Sequence, residues 1–297
     1  MTERGLTRRE VLQLAAASGI ASLAGVRRIE AKAPPVIGVQ LYTVRDQITK
    51  DPAATLKAIA DIGYKEVEVI RGTLPVVVPL AKADGLSPIS VHADTDLILG
   101  SGKLADGYDL AACINDSAAA GAKYVVMPYI MPNNRPTDAA GFAALGDKLN
   151  KAGEQIKKGG LQLCYHNHAF EFTPMADGRR ALDVMLAATD PSLVKLELDV
   201  FWVSITGAQP VDLINQYKGR IALMHLKDKM KGAPRSLTEG VPKPTFVEVG
   251  SGEVDFPAVL AAASAAGVEH YFVEQDQTPG DPIDSLRKSF QYLQSLS

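Results

Sequence analysis

KKGGLQLCYH, Lys157 to His166, joins the basic end of an apolar helix, through two glycines, to a short β-rich run that stops on a potential metal ligand. Glycine just past a helix supplies the left-handed cap that turns the chain back into the next strand. The phrase recurs as ADIGYKEVEVI (Ala60 to Ile70), ADGLSPISVHA (Ala83 to Ala93), AAGAKYVVMP (Ala119 to Pro128), YKGRIALMHL (Tyr217 to Leu226) and AAGVEHYFVE (Ala265 to Glu274). Helix starts are marked by Asp51-Pro52 and by Asp255 with Pro257 two residues on. Expected strands are Val36 to Leu41, Lys65 to Ile70, Ser87 to His92, Lys123 to Met127, Leu161 to His166, Val194 to Asp199, Ile221 to Leu226 and His270 to Glu274. Eight strands, each followed by room for a helix, predict an α/β fold, a single-domain (β/α)8 TIM barrel over residues 34–297. A dinucleotide-binding open sheet is disfavoured, because VQLYTVRD (Val39 to Asp46) stands where a glycine-rich turn would follow the first strand.

In a parallel barrel the last residues of the strands converge on one mouth. Four apolar runs end on His166, Asp199, His225 and Glu274. Two imidazoles and two carboxylates gathered there would hold a divalent cation. An imidazole closing an apolar run is costly without a partner, and a shared cation removes that cost. Glu274 follows Tyr271, Phe272 and Val273, so it is expected to serve as ligand and as proton acceptor. His168 lies two residues past His166, and is read as a substrate contact, a fifth ligand or a hydrogen-bonded wall residue. Glu171 is a candidate general acid or base. Lys227 would set a cation beside a developing oxyanion, or else pair with Glu197 or Glu68.

Gln40, Tyr42, Glu68, His92 and Trp202 are expected to contact substrate, Trp202 as a stacking wall or as ordinary core. Because Leu196 and Leu198 should face the helices, Lys195, Glu197 and Asp199 are expected to point inward, the first two as a structural ion pair. His270 begins its strand at the far end of the barrel, where stability is the expected role. The long Lys-, Gly- and Pro-rich connection from Asp228 to Asp255 follows the seventh strand at the active face and reads as a lid or binding loop.

Of 297 residues, 46% are apolar, enough for one large barrel. Mean hydropathy of +0.02 argues against an integral membrane protein. TRREVLQ, with Arg8 and Arg9 adjacent, precedes a small-residue apolar stretch from Val11 to Val26. Residues 1–33 are therefore expected to be a twin-arginine export signal and linker, placing the mature chain in the periplasm with no stable membrane anchor. That segment carries six basic and three acidic side chains, so the remainder holds 25 basic against 31 acidic, a formal charge of −6. A nucleic acid is an unlikely partner for such a surface, and the expected one is a small carbohydrate. Cys113 and Cys164 read as small buried hydrophobes rather than a disulfide framework.

GVQLYTVRD (Gly38 to Asp46), YHNHAFEF (Tyr165 to Phe172), LELDVFWV (Leu196 to Val203), GRIALMHLKD (Gly219 to Asp228), VGSGEVDF (Val249 to Phe256) and YFVEQD (Tyr271 to Asp276) together resemble the xylose-isomerase-like TIM-barrel superfamily, in its sugar phosphate isomerase/epimerase branch. The resemblance implies one Mn, Zn or Co ion held by residues of strands five to eight, and α-proton chemistry on a carbohydrate. It matches Asp199, His225 and Glu274 to the family's Asp, His and Glu ligands. At the fifth strand this chain has His166 where many relatives place a metal-binding Glu, which in the family's epimerases exchanges the proton with the eighth-strand Glu. Three functions follow as expectations. The first is a metal-dependent isomerase or epimerase of a free or keto sugar, in which Glu274 takes the α proton and His168 or Glu171 returns it. The second is a lyase or hydratase on a keto-glycoside or keto-inositol, favoured by His166. The third is a sugar-binding barrel without catalysis. No convincing phosphate cradle is present, VGSGEVDF being a weak one.

Overall fold

The structure is a computed structural model that describes residues 33–34, 36–100 and 102–296; the twin-arginine stretch lies outside the described residues. Eight strands close into a barrel: β1 (Gly38–Gln40), β2 (Glu66–Ile70), β3 (Ser87–His92), β4 (Tyr124–Met127), β5 (Gln162–His166), β6 (Val194–Asp199), β7 (Ile221–Leu226) and, after a short ribbon of β8 (Asp228–Lys229) and β9 (Phe246–Val247), β10 (His270–Val273). All eight neighbouring pairs in the barrel are parallel, and β1 closes the ring by pairing with both β2 and β10. The α/β barrel expected from the glycine-capped phrase is thus the fold. The first strand is shorter than its apolar pattern, because Leu41–Val44 turn into a 3-10 helix, and Glu274 falls one residue past β10.

Alternation along the strands sets the two layers of the core. Val67, Val69, Leu163, Leu196, Leu198, Met224 and Leu226 belong to the main apolar cluster between sheet and helices. Tyr124, Val126, Cys164, Leu223 and Phe272 form a separate cluster on the strand face that carries His166, His225 and Glu274. Phe272 fits there because β1 offers Gly38, where a Cβ would come within 2.5 Å of the ring. Helix entry follows the caps: Asp51, Asp109, Asp138, Asp255 and Asp281 each accept a backbone N–H from the first turn. Cys113 and Cys164 are buried free thiols, as expected. Among the described residues no helix is long and apolar enough to cross a membrane.

The expected Lys195–Glu197 ion pair does not form. The β6–β7 register shifts between Leu196 and Glu197, and Lys195 Nζ instead donates to Gly219 O at 2.7 Å. Lys195 lies two residues nearer the start of β6 than Glu197, at the end of the barrel away from the mouth. His270 pairs with Glu66 through Nδ1 at 2.8 Å, the structural role expected of it.

VGSGEVDF cradles a carboxylate that belongs to the chain itself. Asp228 Oδ1 accepts from Lys229 N (2.8 Å) and Val254 N (3.1 Å), and Oδ2 accepts from Gly250 N (3.0 Å) and Gly252 N (2.8 Å). Gly252 has no room for a Cβ, which would collide with Lys229 O and the Asp228 carboxylate. The turn is therefore filled from within and is no phosphate site. Asp228 is fully buried, so D228A would strand several backbone donors at once. Its expected cost is about 3 kcal/mol, read as a lower urea midpoint at unchanged slope; a wild-type midpoint would show that the loop needs no such anchor.

Candidate metal and substrate site

Parallel register puts the candidate ligands at one level. Asp199 on β6 is the register partner of His225 on β7, and His166 on β5 is the partner of Glu197. His166 Nε2 lies 3.8 Å from Asp199 Oδ2, and His225 Nδ1 lies 3.9 Å from that same oxygen and 3.0 Å from Glu274 Oε2. The two imidazole rings are 4.6 Å apart. Asp199, His225 and Glu274 are thus brought together, with His166 beside Asp199 and His225 but outside their mutual group. Two overlapping groups have ligand atoms mutually within 4.8 Å, Asp199–His225–Glu274 and His92–His166–Glu197–His225. His92, expected as a border residue, belongs to the second group.

Beneath the ligands lie two carboxylates. Glu197 Oε2 is 3.0 Å from His166 Nδ1, 3.2 Å from His92 Nε2 and 3.3 Å from His225 Nε2. Glu68 Oε1 is 2.7 Å from His225 Nε2, 2.8 Å from His92 Nε2 and 2.7 Å from Gln40 Nε2, while Ser90 Oγ donates to Oε2. Burial works against ionisation of both, and the surrounding imidazoles outweigh it, holding each below the usual carboxylate range. An ionised carboxylate only accepts, so the proton of His166 sits on Nδ1 and its Nε2 is left with the lone pair. Burial and the neighbouring His225 keep His166 neutral. His225 stands between Glu274 and Glu68; burial opposes its charge, but the three carboxylates around it raise its pKa well above the ordinary value. In the same way burial lowers and Glu68 and Glu197 raise His92, to about 9.

Lys227, the last inward residue of its segment, is buried and contacts Asp199 Oδ2 (2.9 Å), Glu274 Oε2 (2.7 Å) and Asp276 Oδ1 (2.8 Å). Its partners are therefore not Glu197 or Glu68. Against the cost of burial, Lys227 and His225 hold Glu274 well below the usual carboxylate range. Burial raises Asp276 to about 6 even with Lys227 beside it.

A cavity of about 690 Å³ opens over this cluster. Tyr42, His92, His166, His168, Trp202, Lys227 and Glu274 reach its wall, as expected of them. Trp202 is both wall and core, since its ring is buried and packs against His168 at 5.2 Å and Phe246 at 6.0 Å. Tyr42 is 43% exposed at the rim, with Arg45 4.1 Å above its ring. Three expectations are corrected. Gln40 and Glu68 do not line the cavity; they are fully buried and bonded to each other, so they support imidazoles rather than touch substrate. Glu171 is likewise outside the wall, accepting from Tyr165 Oη at 2.6 Å and His168 N at 2.9 Å. Burial raises its pKa to about 8. It fixes the backbone that carries His168 and is not placed to exchange protons with a ligand.

Several site residues escaped the sequence reading. Glu197, expected to pair with Lys195, instead meets the imidazoles, and Asp276 follows Glu274 by two residues in YFVEQD, the period that shares a strand face. Glu239, from the connection between β7 and β10, reaches the cavity wall and is held by Arg135 at 3.1 Å, as expected of a binding loop. Nothing local in the sequence pairs these two, which are 104 residues apart.

The donor set fits a divalent cation. Asp199 Oδ2 is buried and is met by the Lys227 ammonium in an ion pair at 2.9 Å. Asp199 Oδ1 is already engaged by Phe201 N and Trp202 N, which fixes the carboxylate. A buried carboxylate oxygen beside the lone pair of His166 is what a metal ligand set requires.

The family described as xylose isomerase-like TIM barrel matches residues 56–296. Inosose dehydratase of Clostridium beijerinckii is 29% identical over 159 residues, 50% of this chain and 52% of the relative, so the chain spans about half the length of the curated relatives it matches. A sugar phosphate isomerase/epimerase of Parabacteroides distasonis superposes with a TM-score of 0.72 at 26% identity, covering 86% of this chain and 96% of that one. The IOLI protein, solved with a zinc atom, shares the fold, with a TM-score of 0.61 at 15% identity over 88% and 98% of the two chains. With the family matched over most of its length and the closed eight-stranded barrel in place, the chain belongs to the xylose isomerase-like TIM barrel family.

Proposed function

We propose that this sugar-modifying enzyme is a metal-dependent lyase that removes water from a keto-sugar or keto-inositol. The observation that carries the reading is the position of His168, whose ring reaches the cavity wall while no second free carboxylate stands beside it on β5. The inosose dehydratase relatives favour the same chemistry. His166, Asp199, His225 and Glu274 would hold one cation, Mn, Zn or Co. When bound, it supplies Lewis acidity to the substrate carbonyl and the adjacent hydroxyl.

The protein's own groups do the rest. Glu274 is tied to Lys227 and His225, which suits it to hold a cation better than to accept a proton. His168 is neutral, because burial and nearby Lys227 oppose its protonation. Its imidazole takes the proton from the carbon next to the carbonyl, and the electron pair left behind closes a carbon–carbon double bond as the β-hydroxyl departs. The same imidazolium gives its proton to that hydroxyl, which leaves as water. Glu171 holds the His168 backbone, and the Lys227 ammonium lies close to the oxygen that gains charge. Trp202 and Tyr42 offer apolar faces to the substrate ring.

The runner-up is isomerisation or epimerisation, which shares the first step and is favoured by the name of the Parabacteroides relative. Metal-loaded protein incubated with inososes and 3-keto sugars in deuterated water separates the two. The expected product has lost water, and H168N lowers kcat about 100-fold or more. A rearranged sugar carrying solvent deuterium at the α carbon would favour the isomerase instead, and no turnover across the panel would leave only a binding barrel.

Chelation should abolish activity and Mn, Zn or Co restore it, while D199N purifies with less than one ion per chain by elemental analysis. Full activity after exhaustive chelation would sink the metal-dependent reading.

We also propose that Arg8 and Arg9 direct export to the periplasm. Cell fractionation should find the R8K/R9K double variant retained in the cytoplasm as a longer precursor, and unchanged partitioning would contradict it.

A further inference from the structure

We infer that Glu197 and Glu68 are positioning carboxylates, one for each imidazole of the ligand set, and that they decide which ring nitrogen is offered to a cation. The inference rests on the cation site proposed above. His166 turns Nδ1 to Glu197 at 3.0 Å and Nε2 toward Asp199 Oδ2 at 3.8 Å. His225 is mounted the other way, with Nε2 on Glu68 at 2.7 Å and Nδ1 toward the same Asp199 oxygen at 3.9 Å. Opposite nitrogens of the two rings therefore face one point, and His225 Nδ1, which donates to Glu274 Oε2 at 3.0 Å, would give up that proton on taking a cation. Donors about 2.1 Å from a tetrahedral cation sit about 3.4 Å apart, close to these separations.

Glu68 is held at both oxygens, whereas Glu197 is held at Oε2 alone, its buried Oε1 having no hydrogen-bond partner. Gln40 and Ser90 hold both oxygens of Glu68, and His92 Nε2 lies between Glu68 Oε1 (2.8 Å) and Glu197 Oε2 (3.2 Å), tying the pair together. Both are fully buried beneath the histidines and do not line the cavity. A carboxylate on the far nitrogen of a ligand histidine fixes its tautomer and raises its basicity, and losing such a partner costs about 10- to 100-fold in metal affinity.

A rival arrangement uses the same atoms differently. His92, His166, Glu197 and His225 lie close enough to hold a cation directly, with Glu197 as ligand. That would take His166 through Nδ1 and His225 through Nε2, the nitrogen Glu68 already holds at 2.7 Å, and would leave Asp199 Oδ2 without its expected partner.

Titration of chelated full-length mature protein with Co²⁺, followed by visible absorption and calorimetry, tests this. E197Q and E68Q should each bind about 10- to 100-fold more weakly than wild type, with one ion per chain, an unchanged Co²⁺ spectrum at saturation and an apo-protein Tm close to wild type. D199N should both weaken binding and alter the spectrum. Wild-type affinity in E197Q and E68Q would overturn the inference while leaving the cation site intact. So would an altered spectrum in E197Q or two ions per chain, since Glu197 would then be a ligand. Wild-type binding by D199N would instead bring down the cation site itself.

Discussion

Four carboxylates, Glu68, Glu197, Asp199 and Glu274, are buried at one end of the barrel, and the rest of the mouth is arranged around the cost of putting them there. Desolvating an ion costs several kcal/mol even after the protein relaxes, so each needs a partner of opposite charge or a set of donors. His92 and His225 answer Glu68 and Glu197; Lys227 answers Asp199 and Glu274. Removing any one of these cations would leave an uncompensated buried charge. The arrangement also explains why a cation is well accommodated, since Asp199 Oδ2 is buried beside His166 and His225.

The barrel delivers this cluster because parallel strands end together. A one-residue slip in β6 against β7 would turn Asp199 to the helix side and send Leu198 into the mouth. The apolar pattern forbids it: Leu196 and Leu198 are fully buried in the main cluster. Hydrophobic periodicity outside the barrel thereby sets the chemistry inside it. Strand ends and the helix-capping glycines were legible for that reason, and so were His166, Asp199, His225 and Glu274, each the last inward residue of an apolar run.

Depth and loop contacts were not legible. Period two assigns Lys195, Glu197 and Asp199 to one face, but does not say that Lys195 reaches Gly219 O while Glu197 meets three imidazoles. Glu171 looked like an acid for solvent or substrate because it lies in a loop. Its 3-10 turn folds it under Tyr165 instead, where burial raises its pKa to about 8. Asp228 was conspicuous in HLKD without a role. The role lies more than twenty residues away, in the N–H groups of Gly250, Gly252 and Val254, and no local rule connects them.

His166 stands where the resemblance implies a glutamate, and that bears on the reaction proposed for the site. A symmetrical epimerisation needs two bases on opposite faces of the substrate, each able to give and take a proton. His166 cannot easily be the second one: its Nδ1–H is committed to Glu197, and its Nε2 is turned toward Asp199. Replacing a carboxylate with a neutral ring also removes one negative charge from the ligand set, which strengthens a bound cation's pull on substrate oxygen. In the proposed reaction the base is the next inward residue, His168, held by Glu171 and packed on Trp202. One imidazole on one face can carry a proton from carbon to a departing hydroxyl, but cannot invert a stereocentre by itself. A single base on one face is what the proposed elimination needs.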